Sequence, residues 1–308
     1  MQDPLDISQE INSALNRNGP IVALESSVIA QGLPAPINVE TALAMEECVR
    51  NAGAVPATIG IIDGRIKVGL SKDDIERLGQ GNAAKVAVRD LPYVVAKKLD
   101  GGTTVSSTAR IASAVGIFVM ATGGIGGIHR NYCETMDASA DLWELARTPI
   151  VVVCSGVKAI LDVPATIEWF ESHSVPVYGY ATDELPMFYS RNSGISIPKV
   201  DSVCEIVDIL KTSGKVLGAR GANIIAVPVP EANAVEVSGE IEQAILEASE
   251  NGVKGKALTP YLLGRVAELT GGKSIDANVA LLKNNAGVAA EIAVTMYENA
   301  QRRMGFMV

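Results

Sequence analysis

Two patterns of apolar positions alternate along the chain. Short runs of consecutive apolar residues are typical of strands buried on both faces, whereas apolar residues spaced three or four apart are typical of amphipathic helices. The continuous runs predict strands at residues 20–24, 57–62, 65–68, 117–120, 149–154, 175–180 and within 223–230. The helical spacing predicts helices at residues 7–15, 39–52, 72–79, 107–114, 164–171, 241–248, 259–270 and 275–301. This alternation predicts an α/β fold with three α/β/α layers around a largely parallel or mixed central sheet.

Turn and capping residues separate these predicted elements. Asp63-Gly64 is a strong hairpin signal between two of the strands. Asn38 and Ser71 stand where helix N-caps are expected. Residues 1–19 are expected to form an N-terminal helical extension. Since no internal repeat, low-complexity segment or long linker interrupts the pattern, we expect residues 1–308 to form a single domain.

The composition limits the classes of partner. The 308 residues are 48% hydrophobic and only 4% aromatic, so Ala, Val, Ile and Leu supply a sizeable core. The formal net charge is −9, which disfavours nucleic acid and anionic membranes because both reward clustered Lys and Arg. We therefore expect neither as a partner. A phosphate group would have to be bound locally, by a few basic side chains, backbone N–H groups or a metal ion.

Cysteine usage and the N-terminal sequence predict a cytoplasmic protein. The four cysteines are far apart, and no C-x-x-C pair or nearby histidine gives zinc-ligand spacing. This arrangement favours reduced thiols. The first residues have neither the basic nor the apolar region of a signal peptide. The most apolar window, residues 111–128, contains five glycines and is not expected to span a membrane.

Residues 121–166 concentrate the candidate chemistry. They contain a glycine-rich turn, His129, two spaced aspartates and an apolar strand that leads into Ser155-Gly156-Val157-Lys158. Open α/β sheets bind ligands at the carboxyl ends of their strands, where Lys158 is predicted to lie. Desolvation there would favour the neutral, nucleophilic amine. Most lysines are solvated surface charges, but Lys158 has apolar neighbours on both sides. We therefore interpret this stretch as an active site for a polar, phosphorylated substrate.

Two nucleotide-binding motifs are only partly matched. The run from Gly124 begins like a dinucleotide fingerprint but has His129 at the third glycine position. The run that ends in Gly272-Lys273-Ser274 resembles a P-loop but has Ala267 at the required upstream glycine. Neither a Rossmann cofactor nor a P-loop nucleotide is predicted.

Seven segments, in order along the chain, resemble one family. They are ALESSVIAQGLPAPIN (23–38), RDLPYVVA (89–96), GGTTVSST (101–108), ATGGIGGIHR (121–130), DASADL (137–142), VCSGVKAILD (153–162) and TPYLLGRVAELTGG (259–272). Together they resemble the pseudouridine-5'-phosphate glycosidases, which are related to proteins of indigoidine biosynthesis. The resemblance covers roughly residues 20–300, nearly the whole chain.

The resemblance implies a C-glycosidase of the lyase type. Such an enzyme reversibly cleaves the bond between C5 of uracil and C1' of ribose in pseudouridine 5'-phosphate, giving uracil and ribose 5-phosphate. Ordinary glycosidases use two carboxylates to cleave a bond to a heteroatom, and a carbon–carbon bond offers no heteroatom to protonate. A lysine that captures C1' as an imine supplies an electron sink. The family's nucleophilic lysine falls on Lys158, the residue singled out by its surroundings.

Other roles follow from the resemblance position by position. Glu25 matches the proton donor, Asp137 matches the manganese ligand, and the implied cofactor is Mn2+ or a similar hard divalent cation. The remaining implied or suggested substrate contacts are Lys85, Val105, His129, Ser139, Ala140, Asp141 and, more weakly, Asn278 and the pair Asn284-Asn285. Without the resemblance, Lys85 could equally be a solvated lysine on a helix. Some of these asparagines would then be expected on the polar face of the last helix.

The chain departs from the family pattern at a few positions. It has Ser27 and Gln31 where the family often has threonine and histidine, and Ala159 where serine often follows the nucleophilic lysine. Two other functions remain open from the sequence: a lysine-dependent aldolase or lyase acting on another sugar phosphate, and a non-enzymatic sugar-phosphate sensor. By resemblance we expect a homotrimer.

Overall fold

The computed structural model describes residues 4–305. In these residues the chain forms eleven strands that belong to one mixed sheet. The strands are β1 (Leu5–Ile7), β2 (Ile21–Leu24), β3 (Val55–Ile62), β4 (Arg65–Val68), β5 (Ala84–Val86), β6 (Gly101–Thr103), β7 (Val119–Ala121), β8 (Val151–Cys154), β9 (Val177–Tyr180), β10 (Lys199–Val200) and β11 (Asn223–Ala226). The α-helices are α1 (Gln9–Asn16), α2 (Ile37–Asn51), α3 (Lys72–Gly79), α4 (Leu91–Ala96), α5 (Val105–Ala114), α6 (Tyr132–Thr135), α7 (Ala140–Leu145), α8 (Val163–Ser172), α9 (Val203–Lys211), α10 (Ser238–Glu250), α11 (Leu258–Leu269) and α12 (Lys273–Gly305).

The sheet has the order β1-β4-β3-β2-β7-β8-β11-β9-β10. Parallel pairing runs from β3 through β2, β7, β8 and β11 to β9 and β10. Antiparallel pairing joins β3 to β4 and to β6, whereas β5 pairs in parallel with β6. The chain moves outward from β2 through β3 to β4, and later returns to the other side of β2 as β7. The strand order therefore reverses between β2 and β7, which is the kind of position where α/β sheets bind ligands.

Helices cover both faces of the central strands. Every residue of β2, β7, β8 and β11 is buried, and successive strand residues point to opposite faces. Both faces must therefore be covered, which confirms the predicted three-layer α/β/α fold. One continuous hydrophobic cluster runs from Ile11 to Ala293. No helix within residues 4–305 combines the length and apolarity that a membrane span requires.

The start of the chain differs from the prediction. The expectation of a helical extension at residues 1–19 is wrong in part, because Leu5–Ile7 is a strand that pairs in parallel with β4. The helix begins only at Gln9, and the Ser8 hydroxyl caps it. A segment of three residues is too short for strand periodicity to be recognised. Its extended conformation depends on pairing with β4 at the edge of the sheet, which the local sequence does not reveal. Residues 1–3 lie outside the described part of the chain.

Two capping predictions had opposite outcomes. Ser71 caps α3 in a reciprocal capping box with Asp74, as predicted. Asn38 does not cap α2, because this helix already begins at Ile37. Its buried amide instead donates hydrogen bonds to the carbonyl oxygens of Ile29 (2.8 Å) and Gly79 (3.0 Å). Asn38 therefore ties α2 to two neighbouring segments.

Two short strands near the candidate site were not predicted. No element was predicted for residues 101–106, but β6 occupies Gly101–Thr103, and α5, predicted from residue 107, begins at Val105. Lys85 lies on β5, directly opposite Gly102, and not on a solvated helix. Pairing with neighbouring strands, which the local sequence does not reveal, makes these short segments extended.

Candidate active site

The predicted site residues meet at the reversal point of the strand order. Glu25 follows β2, Thr122 follows β7, and the segment that ends in Lys158 follows β8. These three strands are neighbours and parallel, so their carboxyl ends lie at the same edge of the sheet. A cavity of about 410 Å³ opens there, a size suited to a small-molecule ligand.

Ten of the predicted site residues line this cavity, whereas Asn284 and Asn285 do not. Glu25 and Lys158 are joined by Lys85, Val105, His129, Asp137, Ser139, Ala140, Asp141 and Asn278. These residues come from segments that span 254 positions of the sequence, as their numbers show. The structure therefore brings these ten residues together, and their chemical roles stay predictions.

The glycine-rich segment 123–129 forms one wall of the pocket and is held on both sides. On one side, Ser155 N–H donates to Gly123 O (2.8 Å) and Lys158 N–H donates to Ile125 O (3.1 Å). On the other side, Ser139 N–H donates to Gly127 O (2.9 Å) and His129 N–H donates to Asp137 O (3.1 Å). Backbone hydrogen bonds thus join residues 123–129 to the predicted nucleophile, to the substrate-contact segment and to the predicted metal ligand.

Two glycines of this wall allow close approach. A Cβ on Gly124 would lie 2.5 Å from the Phe188 ring, and a Cβ on Gly126 would lie 2.7 Å from Asp141 Oδ2. Both distances are shorter than real Cβ contacts, so any side chain there would displace its neighbour. The glycines therefore serve close packing of the wall.

Asp141 connects three parts of the pocket. It lies at the start of α7, and its buried carboxylate accepts hydrogen bonds from Ser106 N–H and Gly126 N–H, both at 2.9 Å. One of these amides belongs to the first turn of α5 and the other to the glycine-rich wall. The resemblance implied a substrate contact, and the structure adds this bracing contact between loops. The peptide N–H groups were invisible to reasoning from side-chain types.

Glu25 is a buried carboxyl group, 6% exposed, with two hydroxyl partners. Ser27 donates to one carboxylate oxygen and Thr122 donates to the other. Ser27 therefore supplies a hydroxyl where the family often has threonine, and this departure leaves the partner of Glu25 in place. Gln31, the other departure nearby, also lines the pocket, and its amide donates to Ala83 O at 3.3 Å.

Positive charges face the same cavity. Lys158 is half-buried at the end of its loop, and Lys85 is half-buried on β5. Burial lowers the pKa of Lys85 from its ordinary value, and the positive charge of Lys158 lowers it further. Asp141 and Glu25 oppose this shift without cancelling it. The two amines therefore lie close enough to interact, in a position where an anionic substrate would stabilise both ammonium groups.

His129 and Asp137 lie side by side in the pocket wall. Burial lowers the pKa of His129, and Lys85 and Lys158 add to this effect, whereas Asp137 opposes it. A neutral imidazole is therefore favoured there. His173, in contrast, caps the end of α8 and stacks on Trp169, as expected for a helix-end residue without a role in the site.

Within residues 4–305, no cluster of three or more His, Cys, Asp or Glu side chains could hold a metal ion. The donors in the pocket wall fit a hard divalent cation only if one carboxylate, from Asp137, is completed by water and substrate oxygens. That is a common arrangement for such ions, and it agrees with the single ligand that the resemblance implied.

The last helix closes one side of the pocket. Asn278 is buried and lines the cavity. Asn285 is fully buried, and its amide donates to Thr122 O (2.8 Å) and to Ser155 Oγ (3.1 Å). Asn284, the other member of the pair, donates a long hydrogen bond to Pro228 O at 3.4 Å. Helical spacing separates these neighbours: one faces the site and the other faces away.

Sequence reasoning missed several residues that line the pocket. They include Arg89, Asp90, Trp143, Phe188 and Lys256. Arg89, Asp90 and Trp143 lie within or beside the family-like segments, and Lys256 lies three residues before the last of these segments. Proximity to such segments was therefore a signal that could have identified these four residues, whereas Phe188 lies outside every segment.

The fold and the pocket define an α/β enzyme class with a lysine and a buried glutamate at the carboxyl end of a mixed sheet. Comparisons identify the family. The family model described as indigoidine synthase A like protein matches residues 10–295. The chain belongs to this family, as the resemblance of its seven segments predicted.

Known relatives cover nearly the whole chain. A protein of Caldanaerobacter subterraneus subsp. tengcongensis, named pseudouridine-5'-phosphate glycosidase, is 50% identical over 95% of this chain and 96% of its own length. The indigoidine synthase A-like protein of Thermotoga maritima has a solved structure with a TM-score of 0.87 and 37% identity, covering 95% of this chain and 96% of that one. The prealnumycin C-glycosynthase AlnA in complex with ribulose 5-phosphate has a TM-score of 0.88 and 37% identity, covering 97% of this chain and 98% of that one.

Proposed function

We propose that the protein is a pseudouridine-5'-phosphate glycosidase, which reversibly cleaves the C1'–C5 bond of pseudouridine 5'-phosphate to uracil and ribose 5-phosphate. Relatives that are about half identical over almost the full length carry this name. The observation that carries the proposal is the placement of Glu25 and Lys158 after β2 and β8, the strands on either side of β7, so that both face one cavity.

The chemistry begins with the sugar ring. Glu25 donates a proton to the ring oxygen of ribose while electrons of the uracil ring expel that oxygen, so the ring opens and leaves a C1'=C5 double bond that is electrophilic at C1'. Lys158 Nζ then forms a bond to C1'. As the nitrogen lone pair forms the imine, the C1'–C5 bond breaks and its electrons pass to uracil. Glu25, which has taken up the proton that Lys158 Nζ gives up, protonates C5 of uracil, and water hydrolyses the imine to release ribose 5-phosphate and free Lys158.

The surroundings of Glu25 support its role. The Ser27 and Thr122 hydroxyls hold both carboxyl oxygens, so the side chain has a defined orientation toward the pocket. Rearrangement of these hydroxyl hydrogens allows either oxygen to carry the proton. The carboxyl group is therefore suited to give a proton in one step and to take one in another.

Phosphate recognition falls to Lys85 and to the pocket wall. Burial next to Lys158 makes its ammonium less favourable without an anion, so a phosphate dianion would stabilise it. Because the chain carries a net charge of −9, attraction must come from such local groups and not from the overall field.

We further propose that Asp137 binds Mn2+ or a similar hard cation. When bound, such an ion would supply positive charge that orients phosphate or sugar oxygens and stabilises developing negative charge. His129, next to Asp137, would orient the same oxygens through its neutral imidazole. The steps at Glu25 and Lys158 involve no oxidation or reduction, so the proposed role of the cation is electrostatic.

The setting of the enzyme is also a proposal. All four cysteines are free, and two of them, Cys133 and Cys204, are exposed, which supports a reducing, cytoplasmic location. We propose a homotrimer by resemblance, and small molecules rather than nucleic acid or membrane as partners, in line with the negative net charge.

A synthesis assay tests this function. The protein is incubated with uracil, ribose 5-phosphate and Mn2+, and pseudouridine 5'-phosphate is sought by liquid chromatography and mass spectrometry. Product formation that disappears in Lys158→Ala supports the glycosidase. Imine formation on ribose 5-phosphate without base transfer indicates an aldolase or another lyase, and binding without either reaction indicates a sensor.

A further inference from the structure

Lys256 lies at the pocket mouth, and neither the resemblance nor the proposed chemistry uses it. It belongs to the 3-10 turn Gly255–Ala257, which immediately precedes α11. Its Nζ donates a 2.8 Å hydrogen bond to Asp90 Oδ1, and both residues line the cavity. Asp90 lies in another 3-10 turn, Val88–Asp90. The ion pair therefore joins two turns, 166 positions apart in sequence, across the mouth of the site.

The two partners of this ion pair are held differently. Asp90 Oδ2 accepts a hydrogen bond from Ala87 N–H at 3.1 Å, and the Asp90 side chain is only 18% exposed. The Lys256 side chain is 56% exposed, and within residues 4–305 Asp90 is the partner of its ammonium. Asp90 would therefore stay in place if Lys256 turned away, whereas Lys256 is free to change partner.

Lys256 is also electrostatically linked to the phosphate-binding lysine. After burial and Lys158, its positive charge is a further cause that lowers the pKa of Lys85. Three ammonium groups therefore act on the same region of the pocket. Like charges repel one another, and an anion between them offsets this repulsion. A phosphate dianion at this point would be attracted by all three.

We propose that Lys256 is a second phosphate-binding residue, which exchanges its ion pair with Asp90 for the 5'-phosphate of the substrate. The inference rests on the proposed function, because that function supplies a phosphorylated substrate. An ion pair whose ammonium is 56% exposed contributes little to stability, since that charge keeps much of its water. A charge-assisted contact to a phosphate dianion inside a pocket is stronger. The exchange is therefore favourable, and Asp90 keeps its backbone contact when it occurs.

The role predicts a specific change in binding. Lys256→Ala should raise the Kd of ribose 5-phosphate by about 10- to 100-fold, the range expected for loss of one charge-assisted contact. The KM of pseudouridine 5'-phosphate should rise similarly, with kcat changed less than about two-fold. Unphosphorylated pseudouridine should be unaffected, because it lacks the group that Lys256 contacts.

Lys254→Ala is the matched control. Lys254 lies two residues earlier, is exposed, and is not among the residues that line the cavity. The substitution of Lys254 removes the same charge next to the same turn, so a general electrostatic effect would appear in both variants. An equal rise in Kd for the two variants would overturn the proposed contact.

Asp90→Asn distinguishes partner exchange from a structural clamp. If Asp90 competes with phosphate for Lys256, its neutralisation should tighten ribose 5-phosphate binding, and this gain should vanish in the double variant with Lys256→Ala. If the ion pair instead holds the two turns in a binding-competent position, Asp90→Asn should weaken binding as Lys256→Ala does. That second result would contradict the proposal.

The binding measurements need no turnover. Calorimetric titration of the full-length protein with inorganic phosphate and with ribose 5-phosphate reports on the subsite directly. If the wild type binds both in a Lys256-dependent way but makes no pseudouridine 5'-phosphate, the glycosidase proposal fails and the subsite stands. If the wild type turns over and Lys256→Ala binds phosphate equally well, the subsite fails and the glycosidase stands. Absence of phosphate binding by the wild type also overturns the subsite.

Discussion

The amide of Asn285 donates a 2.8 Å hydrogen bond to the carbonyl oxygen of Thr122. The Thr122 hydroxyl in turn donates to Glu25. The same amide reaches Ser155 Oγ at 3.1 Å, three residues before Lys158. A single fully buried side chain on α12 thus supports the segments that carry both predicted catalytic residues.

Asn285→Ala should lower kcat more than it raises KM. Removal of the amide leaves the Thr122 and Ser155 segments without their common support, and a misplacement of about 1 Å can cost about 10²-fold in rate. The lost buried hydrogen bonds should also reduce the free energy of unfolding by about 1–3 kcal/mol. Kinetics well below the melting temperature, together with urea unfolding, separate the two effects.

Asn284→Ala is the control for this variant. The amide of Asn284 donates to Pro228 O at 3.4 Å and does not line the pocket, so its loss should leave kcat nearly unchanged. If Asn285→Ala is less stable but turns over at the wild-type rate, Asn285 is a purely structural residue.

Lys158→Ala should abolish turnover and leave the fold intact, because the half-buried side chain faces the pocket and not the core. Borohydride with ribose 5-phosphate should attach one sugar phosphate to the wild type at Lys158, measurable by peptide mass spectrometry. Lys85→Ala should still be labelled at Lys158. Labelling of Lys158→Ala to the wild-type extent would assign the nucleophile to another amine.

Glu25→Gln should slow bond cleavage by about 10²- to 10⁴-fold, the usual loss when a general acid–base group is removed. The amide keeps the shape but cannot carry the transferable proton. Ser27→Ala removes one of the two hydroxyl partners and should have a smaller effect. Pre-steady-state measurement of uracil release checks both, and an unchanged rate and pH profile in Glu25→Gln would exclude the role.

Asp137→Ala should reduce activity in a way that added Mn2+ only partly restores, because a protein ligand of the cation is lost. The comparison is the wild type after treatment with EDTA, assayed with and without added Mn2+. Full activity of the stripped wild type would show that the cation has no role.

The lowered pKa of Lys85 predicts the pH dependence of substrate binding. Its ammonium binds phosphate only below its pKa, and burial next to Lys158 places that pKa below the ordinary lysine value. The KM of pseudouridine 5'-phosphate should therefore rise on the alkaline side before an ordinary lysine would deprotonate. Lys85→Arg should remove this rise, because arginine stays charged. A KM profile that is identical in the two proteins would contradict the prediction.

The sequence by itself determined the class of fold and named ten residues that line the candidate pocket. Runs of apolar residues and helical spacing predicted strands such as β3 and β8 and helices such as α3 and α12, because both signals depend only on neighbouring residues. The hairpin at Asp63-Gly64 was also predicted from neighbouring residues, because these two residue types favour the positive φ that the turn requires. Both residues adopt positive φ, and the adjoining strands pair antiparallel. The resemblance then identified Glu25 and Lys158, and the family match confirmed that resemblance.

The tertiary structure alone decided how these parts meet. Lys85 lies on a three-residue strand that exists through its pairing with β6. Asp141 braces amides 35 and 15 positions away, and Asn285 contacts Ser155 across 130 positions. Such contacts depend on strand order and on which loops meet at the sheet edge, and periodicity along the chain contains neither. For the same physical reason, the pairing of Lys256 with Asp90 became visible only when the folded chain brought their two turns together.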